Sequence, residues 1–233
     1  MKIYNLPYWA YKRTIPNLCE DKRFTDLKTK VLNASCAPTA AANIISYLAH
    51  TNRARLLPPQ GNYSKAYIHT KLIETLIKNM NTGEQGTFDY DIIAGFEKYV
   101  LDRGYKIKIS CEGKSFPKKY VKSSSVNPQW VMQGTLGPSN AILGTVRYKY
   151  NPKSDSYKKL GGHAITVAGF NMAYSELFIR DPASSKKNII CELINLKDIR
   201  PSNRDGGYYL RRYDDGKQID VIEDAICFEV YPK

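Results

Sequence analysis

Apolar residues recur at helical spacing in three stretches of the first half of the chain. Ala40, Ala41, Ile44, Ile45, Tyr47 and Leu48 mark one face of a helix over residues 33–50. Tyr67, Ile68, Leu72, Ile73, Leu76, Ile77 and Met80 mark a second, and Ile92, Ile93, Phe96, Tyr99 and Val100 a third. Pro58-Pro59 and Gly61 punctuate the loop between the first two, and Gly83 and Gly86 break the second. Thr87 or Asp89 can cap the third, which Gly104 ends. The period then changes to two. Tyr105, Ile107 and Ile109 alternate with polar residues as a strand. Past a Lys- and Ser-rich loop at 113–125, Pro128 opens a short helix carrying Trp130 and Val131. Strands are predicted at 141–148, 163–170, 176–180, 189–194, 208–213 and 225–231, with 151–162 as a polar loop and a hairpin turn near Met172. Helices first and hairpin-linked strands later imply an α+β fold with an antiparallel sheet. The division is a single domain over 1–233, with an N-terminal arm at 1–32, a mainly helical part at 33–135 and a mainly β part at 136–233.

Composition changes this picture little. The 233 residues suffice for one sizeable core, and 42% hydrophobic with 24% charged residues excludes a disordered or fibrous chain. No stretch approaches eighteen consecutive apolar residues, so no transmembrane segment is expected. The first residues, MKIYNLPYWAYKRTIPN, lack the apolar core and small-residue cleavage site of a secretory signal. As written the chain reads as cytoplasmic; as a mature form it would be secreted. The five cysteines have no metal-ligand spacing, so neither a zinc site nor another cofactor is called for.

Charge adds a class of partner. Thirty-five Lys and Arg against twenty-two Asp and Glu leave +13, which favours an anionic polymer on a basic surface. The basic residues are spread along the chain and match no nucleic-acid motif, so nucleic acid is not the expected partner.

The candidate chemistry begins at Cys36, in NASCAPTAAANIISYLAH. Ser35 can cap the helix and Pro38 sits in the first turn, where its missing N–H costs nothing. A thiol at that point feels the positive end of the helix dipole and unpaired N–H groups, which favour the thiolate. The same N–H groups can receive an oxyanion. Far downstream, GGHAITVAGFNMAYSELFIRDPA holds His163 at the opening of one strand and Asp181 at the end of the next. A turn centred at Met172 sets His163 opposite Asp181, whereas a slip of one residue would put them on opposite faces. A cysteine at a helix start, a histidine and an orienting acid are the parts of a thiolate–imidazolium catalyst.

In chain order and in local sequence these segments resemble papain-fold cysteine peptidases, most closely the bacteriocin-processing, double-glycine peptidase-like group. The carrying residues are Cys36-Ala37-Pro38-Thr39-Ala40, Gly161-Gly162-His163-Ala164 and Asp181-Pro182. The resemblance spans roughly residues 30 to 185. It implies a helical lobe, with its central helix beginning at the cysteine, packed on an antiparallel sheet lobe. It also implies Cys36 as nucleophile, His163 as general base and then acid, and Asp181 as the residue orienting the imidazole. The substrate would be a peptide or protein, cleaved through a thioester. In papain-like enzymes a glutamine six residues before the cysteine donates to the oxyanion, but here that position is Lys30. The nearest amide is Asn33, which either donates from a differently shaped loop or caps the helix. Acyl transfer or deamidation on the same fold, and an inactive basic domain holding an anionic polymer, are the alternative functions. Oligomeric state is not legible.

Overall fold

The computed structural model describes residues 27, 29–51, 53–59, 61–113, 116–135, 139–171, 175–184, 189–195, 207–212 and 217–233. Most of the predicted N-terminal arm and the hairpin turn at Met172 lie outside these residues.

The helical part forms as its periodicity predicts. A short helix, α1 (Thr29–Asn33), precedes α2 (Cys36–His50), α3 (Lys65–Asn79) and α4 (Asp89–Asp102). Helix α2 is buried along most of its length, which accounts for its run of alanines: Ala40, Ala41 and Ala42 are fully inaccessible and allow close approach to its neighbours. Two caps differ from expectation. The Ser35 hydroxyl does not cap α2 but donates back to the Leu32 carbonyl at 2.6 Å. Phe88 occupies the N-cap of α4 without a side-chain bond, while Asp89 and Asp91 sit in the first turn and favour its positive end. Ser64 caps α3 by accepting from the Tyr67 N–H. Among the described residues no helix is long and apolar enough to cross a membrane.

The strands are β1 (Tyr105–Glu112), β2 (Val121–Ser123), β3 (Ser139–Asn151), β4 (Ser156–Asn171), β5 (Glu176–Arg180), β6 (Ile189–Asn195), β7 (Tyr208–Arg212) and β8 (Gln218–Pro232), with helix α5 (Pro128–Gln133) between β2 and β3. Their order is β2-β1-β8-β3-β4-β5-β6-β7, and β7 also pairs with the first part of β8. Strands β3 to β8 therefore close on themselves as an antiparallel barrel, from which β1 and the short parallel β2 extend as a flap. The molecule is thus α+β, as expected.

Two stretches differ from the predicted loops. Residues 156–162 continue β4 rather than forming a loop, because the β3–β4 hairpin projects with both faces wet and its polar residues carry no periodic signal. There Tyr150 and Tyr157 meet across the strands with tilted rings, centroids 5.3 Å apart, and Tyr148 and Tyr157 pack against the small cluster of Tyr209, Ile219 and Val221. Within the Lys- and Ser-rich loop, Val121–Ser123 pairs beside β1.

Two cores meet across β4. On one face, Ala164 and Ala168 pack with helices α2 to α4, Phe96, Phe228 and Tyr99. The other face lines the barrel interior with Leu143, Ile165, Val167, Ile179, Leu210 and Ile222, alongside Val131 and Met132 from α5. A polar pin fixes α2 to the strand. Thr166, fully buried, donates to the Ala40 carbonyl at 2.9 Å and accepts from Asn43 Nδ2 at 3.3 Å. Thr166→Val keeps the shape but removes both bonds, leaving the Ala40 carbonyl only its place in the α2 ladder, and is expected to cost about 1 kcal/mol of stability, read from urea denaturation midpoints.

Candidate active site

Cys36 is the first residue of α2, and the absence of a Ser35 side-chain cap leaves the opening N–H groups directed at the thiol. The Ala37 N–H and, from β4, the Ala164 N–H both favour its ionised form. His163 lies beside it on β4, where Gly161 and Gly162 leave the approach open: a Cβ added at either would meet nothing within 4 Å. The imidazole Nε2 donates to Asp181 Oδ1 at 2.5 Å, which leaves Nδ1 for the thiol. Asp181 follows β5 directly. Its Oδ1 also accepts from the Ala183 N–H at 2.9 Å, an Asx turn that the Asp-Pro sequence closes.

The hairpin brings His163 and Asp181 together by a different register from the one predicted. Val167 pairs with Ile179 and Thr166 with Arg180, so Asp181 falls level with Ile165, two residues from His163. An even offset preserves the face. Nearer the turn, Gly169 pairs with Phe178 and Phe170 with Leu177; that register, continued, would set Asp181 level with Thr166 and away from His163. The bulge at Ala168 supplies the one-residue shift that restores the shared face.

Electrostatics follow from this geometry. Burial pushes the Cys36 thiol up, but the hydrogen bond to His163, the charge of that imidazole and the two backbone N–H groups outweigh it, leaving the thiol below its ordinary value. Burial alone would lower His163; hydrogen bonds to Asp181 and Cys36 and the aspartate charge push it up to about 9. Burial opposes ionisation of Asp181 as well, yet His163, Arg212 and Arg147 hold its carboxyl well below the usual carboxylate range. Cys111 shows the contrast: burial beside Asp89 and Asp224 pushes its thiol up to about 12.

The Cys36–His163 pair opens into a cleft of about 250 Å3 between the start of α2, the Gly83–Gly86 turn, the start of α4 and strands β3, β4 and β8. Its lining includes Asp89, Glu223, Asp224 and Gln85 and, among the described residues, no Lys or Arg. Glu223 is the extra residue of a bulge, since Gly144 pairs with Asp224 and Thr145 with Ile222. Asp224 is pressed against Gly113 at φ +131, where a Cβ would come within 1.9 Å of the carboxylate. An acidic cleft in so basic a chain is a local arrangement that net charge does not reveal.

Asn33, the residue read from the sequence as an oxyanion donor, ends α1, is exposed and does not line this cleft. Lys30 is also exposed and pairs with Glu84 at 3.4 Å. That contact ties α1 to the Gly83–Gly86 turn, in which the two glycines exchange N–H···O bonds at 3.1 and 3.2 Å. Gln85 stands between them in sequence and, among the described residues, is the one lining the cleft that carries a side-chain amide. Sequence reasoning passed over Gln85 because it lies 49 residues from Cys36, as 85 and 36 show, and joins it only through the fold. It also passed over Arg147, Arg212 and Asp220, which surround the far side of Asp181.

No protein-family model matches the chain, and no curated protein matches its sequence.

The paired groups predict a selective reagent profile. Iodoacetamide should modify Cys36 rapidly well below pH 7, whereas the buried Cys111 and Cys227 react slowly. In His163→Ala the fast reaction should retreat toward the free-thiol range near pH ~8.5. Peptide mapping after alkylation across pH 5 to 9 checks both.

Proposed function

We propose that the protein is a cysteine peptidase of papain-like architecture, related in its motifs to the bacteriocin-processing group. The observation that carries this reading is the hydrogen-bonded sequence Cys36–His163–Asp181 at the mouth of a cleft. Support comes also from α2 packed with its first residue against the barrel strand that carries the histidine.

The cycle begins with the Cys36 thiolate and His163 imidazolium. Sulfur attacks the carbonyl carbon of a bound peptide, and the C=O electron pair moves onto oxygen as an oxyanion. Backbone N–H groups at the start of α2 receive it, joined by the Gln85 side-chain amide, which takes the part expected of Asn33. His163 passes its proton to the leaving nitrogen, the C–N bond breaks, and a thioester and a free amine result. Neutral His163 then takes a proton from water as the water attacks the thioester carbonyl. Collapse expels the thiolate, releases the acid and restores the ion pair. Asp181 stays ionised throughout, stabilising the imidazolium and fixing which ring nitrogen faces sulfur.

Substrate preference follows from the cleft walls. Asp89, Glu223 and Asp224 favour a peptide with a Lys or Arg near the scissile bond.

p-Nitrophenyl acetate tests the scheme without knowledge of the natural substrate. The native protein should release a stoichiometric burst of p-nitrophenolate and carry acetyl on Cys36 by mass spectrometry. Cys36→Ala should show no burst, and its retention of the burst would end the reading. Gln85→Ala should acylate about 100-fold more slowly or worse while its iodoacetamide rate stays unchanged, because alkylation forms no oxyanion. Turnover of a peptide amide, unlike that of the ester, should fall as pH rises through about 9, where the imidazolium that protonates the leaving amine is lost.

Glu223→Gln should lower kcat/KM for a lysine-containing peptide several-fold more than for its neutral counterpart, measured as the ratio of the two kcat/KM values.

A further inference from the structure

Beyond the His163–Asp181 pair, one end of the barrel holds two arginines and a second aspartate that the hydrolytic cycle does not use. By strand alternation Arg147, Arg212, Asp220, His163 and Asp181 share the face of Leu143, Leu210, Ile222, Ile165 and Ile179, the barrel interior. Arg147 and Asp220 are cross-strand partners in β3 and β8. Arg147 Nη2 donates to Asp181 Oδ2 at 2.9 Å and Arg212 Nη2 donates to the same oxygen at 2.5 Å. Asp220 holds both arginines: Oδ1 accepts from Arg147 Nε at 2.9 Å, and Oδ2 accepts from Arg212 Nη2 at 2.9 Å and Nε at 3.3 Å. The side chains of Asp181 and Asp220 are 1% and 0% exposed, those of Arg212 and Arg147 8% and 16%. Charges balance two against two.

Two features go beyond structural support. A buried quartet of charges is seldom the most stable filling of such a space, and apolar side chains fill the adjoining barrel interior. The arginines also occupy only Oδ2 of Asp181, leaving Oδ1 for His163 and the Ala183 N–H. We propose that Arg147, Arg212 and Asp220 are positioning residues that set the basicity of His163: the arginines fix the Asp181 carboxylate with Oδ1 toward the imidazole, and Asp220 limits how much of their positive charge reaches it. This rests on the reading of Cys36 and His163 as the catalytic pair. Alone in a dry site, Asp181 would hold the imidazolium so firmly that it would resist protonating a leaving amine; two guanidinium groups on its other oxygen offset that hold. Among the described residues, the other titratable groups of the cleft that His163 lines are Cys36 on α2, Asp89 on α4, and Glu223 and Asp224 on β8. They are unchanged in the variants below, so differences between variants report the quartet.

The test is the imidazole titration of His163 followed by NMR in the full chain, which has three histidines and can be assigned by substituting His50 and His69. Arg147→Met removes a positive charge and should raise the His163 pKa by about one unit. Asp220→Asn removes a negative charge and should lower it, by up to about as much. Arg147→Lys should stay near the native value. A merely structural quartet would weaken folding in both charge-removing variants without moving the titration in opposite directions. If one variant does not fold, the sign of the other decides. Unmoved or same-direction shifts, with native Cys36 still reactive at low pH, overturn the positioning role and leave the peptidase reading intact. A native His163 titrating near ~6.5 beside an ordinary Cys36 thiol overturns both.

Discussion

The site depends on burying the Asp181 carboxylate at the end of a closed barrel. An ion taken out of water there is costly unless every lone pair is answered. His163, the Ala183 N–H, Arg147 and Arg212 answer them. Each comes from a different part of the sheet: β4, the turn after β5, β3 and β7. Closure of the barrel therefore supplies the partners that keep the carboxylate ionised while it is buried, and the anion in turn holds the imidazolium that favours the Cys36 thiolate. The chemistry and the strand closure are coupled through one group.

Strand β4 transmits this arrangement to the helices. Its barrel face continues the row of Ile165 and Val167 up to His163, while its other face presents Ala164 and Thr166 to α2. The small residues on both elements bring the start of α2 close enough for the Ala164 N–H to reach sulfur. A larger residue at Ala40 or Ala164 would separate thiol from imidazole before it disturbed either element alone. The Cys36–His163 contact is thus a property of the packing between two cores rather than of either motif.

The helices and most strands were legible because each buries one continuous face, and a period of 3.6 or 2 is the direct trace of that burial. The β4 extension through residues 156–162 and the short β2 were not, since wet or very short strands leave no periodicity. Cys36, His163 and Asp181 were legible from local context: a helix opening, a strand opening and a strand end. Their grouping was anticipated with a register two residues from the observed one, which succeeds because a sheet repeats its faces every second residue. The bulge at Ala168 that makes the offset even has no marker in the residue pattern.

By itself the sequence determined most of the elements, the α+β class and the three candidate side chains Cys36, His163 and Asp181, since all of these depend on local pattern and residue type. Only the tertiary structure decided the barrel closure through β7 and β8, the presence of Gln85 and not Asn33 in the cleft wall, the acidic lining inside a basic protein and the four-charge cluster behind the histidine. The physical reason is distance along the chain. Arg147, Asp181, Arg212 and Asp220 carry no shared local signature, and they meet because a closed sheet sets strands far apart in sequence side by side.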